Sequence, residues 1–217
     1  PWSGVISLGY LSSEGNADNS SGSVDFRLGY VKSRWNHELL GRAFGSSEED
    51  NTTAENYKAA WKSLYNINPR NYTFGTVDYN KNRFSGYPRQ IFSILGYGRR
   101  LLETPKVALN VEIGAGYADQ KKFLTDEKIT TVDEDGAVAR LSGDFRWNIS
   151  ETATFEQWLT INAASANTYW ESISKVSAGL MGNLALGVSY TIQANTDVAP
   201  GVEKRDAFTA ITLDYAF

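Results

Sequence analysis

Cysteine is absent from the 217 residues. Disulfides, thiol nucleophiles and cysteine-ligated metals are excluded together, and the absence is compatible with passage through an oxidising periplasm. Histidine is reduced to one residue, His37, and Lys plus Arg number 21 against 25 Asp plus Glu, for a net charge of -4 and a pI near 5.1. That balance gives no basic face of the kind nucleic acid requires, which rules nucleic acid out as a partner.

Long hydrophobic runs are missing as well, and the mean hydropathy of -0.37 is that of a water-soluble protein. The one charge-free stretch of spanning length, Val176 to Thr196, carries Ser177, Gly179, Gly182, Asn183, Gly187, Ser189, Thr191 and Gln193. It is too polar for a helix facing lipid. Read as two strands on either side of Met181-Gly182-Asn183 it becomes sensible, because a transmembrane barrel turns only every second residue toward lipid. No linker divides the chain, so residues 1–217 are expected to form a single domain. No signal peptide is read in it, and an exported protein would be represented here by its mature form.

What is present is alternation. In the last stretch Thr209, Ile211, Leu213, Tyr215 and Phe217 oppose Thr212 and Asp214, the pattern of a strand with one apolar face. Val107, Leu109, Val111, Ile113, Ala115 and Tyr117 oppose Asn110, Glu112, Gly114 and Gly116, and Leu141, Phe145 and Trp147 oppose Arg140, Asp144 and Arg146. About twelve such strands, each about nine to twelve residues, fit a tilted membrane span. The polar stretches between them alternate in length. Ser12–Ser23, the acidic Ser46–Thr52, Asn80–Arg89 and Asn195–Glu203 are long; the returns near Ser33, Asn68-Pro69-Arg70-Asn71, Glu103–Lys106 and Gly182-Asn183 are tight. The fold class expected is all-β: an antiparallel up-and-down transmembrane β-barrel with long extracellular loops, short periplasmic turns and both termini on the turn side. Closure is required, since an open sheet edge in hydrocarbon leaves backbone groups unpaired.

Parity assigns side chains. Toward the lumen go Asp25, Arg27, Glu38, Arg42, Lys58, Lys62, Glu112, Arg140, Asp144, Arg146, Glu156, Lys175 and Asp214, with signs nearly balanced. A strongly selective pore would show one sign in excess. Trp2, Trp35, Tyr65, Trp147, Tyr215 and Phe217 near the turns, and Tyr10, Tyr57, Tyr117 and Tyr190 near the loops, match the two aromatic girdles of such barrels. Three finer expectations follow. Met181-Gly182-Asn183 should be a three-residue loop with a positive φ. Trp158 falls on the polar face unless a bulge returns it to lipid. Phe92 and Ile94 should lie across from Gly116 and Gly114.

Trp2-Ser3-Gly4, Leu8-Gly9-Tyr10, Ser13-Glu14-Gly15-Asn16, Thr53-Ala54-Glu55, Asn82-Arg83-Phe84-Ser85-Gly86-Tyr87, Gly96-Tyr97-Gly98, Gly114-Ala115-Gly116-Tyr117, Ser150-Glu151-Thr152-Ala153 and Tyr215-Ala216-Phe217 run the length of the chain. In these motifs the sequence resembles the YdiY-like, salt-induced outer-membrane proteins. The resemblance implies a bacterial outer-membrane barrel associated with salt stress, and it supplies no catalytic or ligand residues. Its implied surroundings are outer-membrane lipid and lipopolysaccharide, the barrel-assembly machinery acting on the closing strand, and other envelope proteins.

Four readings compete. A narrow, weakly selective channel for small solutes or ions comes first; a closed barrel with a structural or partner-binding role is the alternative. An outer-membrane enzyme would need His37 paired with Ser, Asp or Asn, and the default for His37 is packing at a strand end. Asp133-Glu134-Asp135-Gly136 lacks the rest of a calcium-loop spacing and reads as a solvated acidic loop. No metal or cofactor is expected. A soluble ligand-binding barrel would reverse the faces.

Overall fold

A computed structural model describes residues 1–14, 19–48, 51–83 and 85–217, with the side chains of 11–13, 19–21, 44, 46–48 and 51–54 outside that description. The strands are β1 (Trp2–Glu14), β2 (Asn19–Lys32), β3 (Trp35–Glu48), β4 (Asn51–Asn66), β5 (Asn71–Asn82), β6 (Arg89–Glu103), β7 (Val107–Phe123), β8 (Thr131–Asn148), β9 (Ala153–Ala164), β10 (Thr168–Met181), β11 (Leu184–Asn195) and β12 (Arg205–Ala216). Each pairs antiparallel with its sequence neighbours, and β1 pairs with β12 to close the barrel. Gly4 and Phe217 exchange two backbone hydrogen bonds of 2.9 Å, so the aromatic end of the chain is zipped into the first strand.

The faces follow the period-two pattern. Ile113 and Leu141 are 58% and 48% exposed, whereas their chain neighbours Glu112 and Arg140 are 5% and 7% exposed. Apolar side chains point away from the axis and ionic ones toward it. The apolar belt on β7 runs from Val107 to Tyr117, a rise of about 25 Å once the strand tilt is taken into account. Above it the outer face becomes ionic, with Arg89 to Asp119 at 2.5 Å and Lys121 to Asp133 at 3.2 Å. Such exposed pairs mark chain that has left the hydrocarbon.

The strands are longer than the pattern suggested, up to 17 residues in β7 and 18 in β8. The extra length is on the loop side, where β1 reaches Glu14 and β3 reaches Glu48. Much of Ser12–Ser23 and Ser46–Thr52 is therefore paired strand, while their tips, 15–18 and 49–50, lie outside the described residues. Asp133, Glu134 and Asp135 are also strand, in β8. They alternate between faces and engage Lys121, Lys122 with Tyr87, and the Gln120 amide respectively, which corrects the reading of a solvated acidic loop.

Three local expectations are revised. The β10–β11 turn has two residues, Gly182 (φ 56°) and Asn183, because a register shift between Gly179 and Met181 absorbs the odd residue. Ala178 still pairs with Leu186 on the outer face. The β6–β7 turn is centred between Pro105 and Lys106 rather than near Thr104, and the shift between Arg100 and Leu102 takes back only one step, so Ile94 lies opposite Gly116 and Phe92 opposite Ala118, two residues from the expected register. At Trp158 the ladders are uninterrupted, so no bulge turns it outward; it stays in the lumen.

The lumen is partly filled by apolar side chains. Tyr72, Phe74, Phe92, Ile94, Ala118, Val138 and Tyr169 form a buried cluster. Space for it comes from glycines on β6 and β7. A Cβ on Gly98 would sit on the Tyr72 ring, one on Gly96 within 2.7 Å of Phe74, and one on Gly114 within 2.7 Å of Ile94.

Candidate functional site

The functional candidate is the lumen, a cavity of about 650 Å³. Alternation on twelve strands brings Asp25, Arg27, Glu38, Arg42, Lys58, Lys62, Glu112, Arg140, Asp144, Glu156 and Lys175 to its wall. Asp214 also points inward but is buried behind Lys175, at 2.6 Å from its Nζ. Arg146 ends in an exposed position at the turn-side mouth, beyond the cavity lining. Asp78, Glu171, Tyr72, Phe74, Trp158 and Ile173 line the cavity too, and charge parity had not singled out Asp78 or Glu171.

Most of these charges are paired. Arg42 donates to Asp25 at 2.6 Å, Arg140 reaches Asp78 at 2.5 Å and Asn162 at 2.7 Å, Lys62 pairs with Glu112, and Arg27 lies 3.7 Å from Glu38. Lys58 on β4 meets Glu171 on β10 at 2.5 Å. Those strands are six positions apart in either direction round the barrel. The pair therefore joins opposite walls and crosses the lumen. Arg27 on β2 similarly sits 5.3 Å from the centre of the Trp158 ring on β9. Glu171, only 4% exposed, also accepts from Gln193 at 2.7 Å and from Tyr169 at 3.3 Å. Its oxygens are thus supplied with donors, as a buried carboxylate requires.

On the loop side of this tier the interior is an amide network. Gln90 donates to Gln120 at 2.8 Å and to Asn195 at 2.9 Å, Asn167 donates to Asn195 at 2.9 Å, and Asn56 donates to Gln193 at 3.4 Å. Above it Lys122 bridges Glu134 and Asp197, at 3.7 and 2.6 Å, while Tyr87 donates to Glu134 at 2.7 Å. Burial, and then that hydrogen bond, push the Tyr87 hydroxyl pKa up, so it remains a donor at neutral pH. Among the described residues, those lining the cavity reach no further toward the loops than the tier of Asp25, Arg42, Lys58, Asp78, Arg140 and Glu171. The cavity is a cup on the turn side.

The outer wall carries the aromatic residues. Trp2, Tyr10, Trp35, Tyr57, Tyr117, Trp147, Tyr190, Tyr215 and Phe217 are exposed, and Tyr65 is half-buried with its ring packed edge-on to Trp35 at 5.1 Å. His37 stacks between Trp35 and Tyr30, and its Nδ1 is 2.8 Å from the Ser63 hydroxyl. Its geometry is that of a packed, hydrogen-bonded histidine. No group of three or more metal-ligating side chains occurs among the described residues.

The family model described as "Protein of unknown function, DUF481" matches residues 6–217. The chain belongs to this family. A relative, "Uncharacterized protein YdiY" of Escherichia coli (strain K12), is 27% identical over 217 residues, covering all of this chain and 83% of its own. Among solved structures this DUF481 barrel is similar to the NanC porin, at a TM-score of 0.63 with 8% identity over 97% of this chain and 98% of that one. It is also similar to an outer-membrane channel from Pseudomonas putida F1, at a TM-score of 0.56 with 11% identity over 100% and 95%. The fold is that of outer-membrane porins and channels, and the lipid-facing belt is this chain's own. The DUF481 protein is an outer-membrane β-barrel.

Proposed function

We propose that the barrel rests in a closed state, with a polar cup open to the periplasm and a sealed outer half, and that its role is structural or partner-binding rather than that of a steadily open pore. The Lys58–Glu171 pair carries this reading, because it bridges opposite walls where a permeant ion would pass. The amide network beyond it adds a second layer of matched donors and acceptors. The nearly balanced signs of the cup point the same way: no field of one sign draws a charged solute inward.

A narrow, weakly selective channel is the second reading, favoured by the cavity of about 650 Å³ that already occupies the turn-side half. It would need the outer network to part. Planar-bilayer recording separates the two. The closed reading expects folded wild-type barrels to insert silently and Lys58→Ala/Glu171→Ala to raise the frequency of openings; steady wild-type conductance would overturn it. The link to salt stress and engagement of the assembly machinery by β12 belong to the same proposal. Protein abundance after a salt shift, and folding with the final Phe217 removed, are their respective measurements.

A further inference from the structure

The turn end of the barrel carries cations outside any close ion pair. Lys32, Arg34, Arg70, Arg99 and Lys106 are exposed there, and among the described residues none of them has a carboxylate within ion-pair distance. In the lumen and at the loop end, by contrast, most cations hold a carboxylate. Backbone and amide contacts bring the chain segments that carry Arg34, Arg70 and Arg99 side by side. The Arg34 carbonyl accepts from the Asn66 backbone at 2.8 Å and from its side chain at 3.1 Å, while Arg100 donates to Asn66 at 2.7 Å and to the Pro69 carbonyl at 3.1 Å. The Arg100 amide binds the Arg70 carbonyl at 2.8 Å, and Arg99 is the ladder partner of Asn71. Arg100 itself is held against the Tyr72 ring at 4.7 Å and lines the cavity, so its guanidinium faces the lumen while that of Arg99 faces outward.

This cluster does not sit in open water. Ile67 at the tip of the β4–β5 turn and Leu101 and Leu102 on β6 are 46%, 51% and 47% exposed, beside Tyr97 and the Trp35–Tyr65 pair. Exposed aliphatic and aromatic side chains mixed with arginine are the composition of a lipid headgroup boundary. The guanidinium fork matches a phosphate bidentately, and an unpaired cluster of them at that depth meets phosphodiesters first.

We infer that Arg34, Arg70 and Arg99 form a binding site for the phosphate headgroup of an anionic phospholipid in the turn-side leaflet. The site rests on the membrane reading of the barrel. It lies on one side of the circumference, around β3 to β6, because the β8–β9 and β10–β11 turns supply no Lys or Arg. A bound lipid there would fix which part of the ring faces a particular lipid patch.

The full chain, folded in detergent micelles, is titrated with phosphatidylglycerol or phosphatidylcholine and bound lipid is counted by native mass spectrometry. Wild type is expected to retain phosphatidylglycerol at least about tenfold more tightly than Arg34→Gln/Arg70→Gln/Arg99→Gln, with phosphatidylcholine weak on both. Lys121→Gln/Lys204→Gln/Arg205→Gln at the loop end removes the same charge and should bind like wild type. Equal loss in both triple variants would overturn the site in favour of net charge, and full competition by inorganic phosphate would overturn the lipid as ligand. Heat-modifiable migration reports folding, and the single variant Arg99→Gln, expected to lose part of the affinity, serves if the triple variant does not fold. Folded, bilayer-inserted wild type with no phosphatidylglycerol preference sinks the site alone; failure to insert sinks the membrane reading.

Discussion

Gly98 and Tyr72 show how single residues shape the lumen. The ring of Tyr72, 3% exposed, lies over the bare backbone of β6, and the missing side chain at 98 is what admits it. Gly98→Ala is expected to cost about 1–3 kcal/mol through overpacking. Gly136→Ala, where a Cβ meets nothing within 4 Å, should stay within about 0.5 kcal/mol of wild type. Urea midpoints of the barrel in micelles compare the two. Glu171 presents the electrostatic counterpart, since Lys58 is brought to it from the far wall. Glu171→Gln strands that ammonium in the lumen and should lower stability by about 3 kcal/mol, whereas Lys58→Met/Glu171→Met, which removes both charges, should recover most of the loss. A double-mutant cycle on unfolding midpoints measures the coupling.

At the scale of elements, the tight returns govern register. Gly182 enters the β10–β11 turn at φ 56°, and Ser33 opens the two-residue β2–β3 turn at φ 59° without glycine's freedom. Ser33→Gly is expected to stabilise the barrel by about 0.5–1 kcal/mol, as relief of left-handed strain outweighs the added freedom of the unfolded chain. A lowered denaturation midpoint would contradict it. The strands themselves were legible in the sequence, because Val107 to Tyr117 and Leu141 to Trp147 alternate cleanly, and Asn68–Asn71 and Gly182-Asn183 announce turns. Strand ends on the loop side were not. Polar residues such as Asp119, Lys121 and Asp133 look alike in a loop and in a water-exposed ladder, and only cross-strand partners distinguish the two. Interior apolar residues were equally hard to see. Phe74, Trp158 and Ile173 sit on the ionic face, and a period-two count cannot say that a lumen is packed rather than wet. Gly96, Gly98, Gly114 and Gly116 were the available signal, being spaces that something large must fill. Asp78 and Glu171 escaped for a related reason: each lies on a strand with apolar or aromatic residues on both faces.

For the molecule as a whole, closure of the sheet and inversion of its faces carry the rest. The β1–β12 pairing leaves no edge for hydrocarbon to meet, and the aliphatic belt between the two sets of aromatics supplies the surface that lipid wets. The cysteine-free sequence permits a direct test. Single cysteines replacing Ile113, Leu141 and Ile211 on one face, and Ser142, Thr160 and Thr212 on the other, are labelled with a small environment-sensitive fluorophore before reconstitution into vesicles. Quenching by nitroxide-bearing lipid tails is predicted to be strong at the first three positions and weak at the second three. The reverse order, with the probes at 142, 160 and 212 quenched from the bilayer, would contradict a barrel whose charges face its axis.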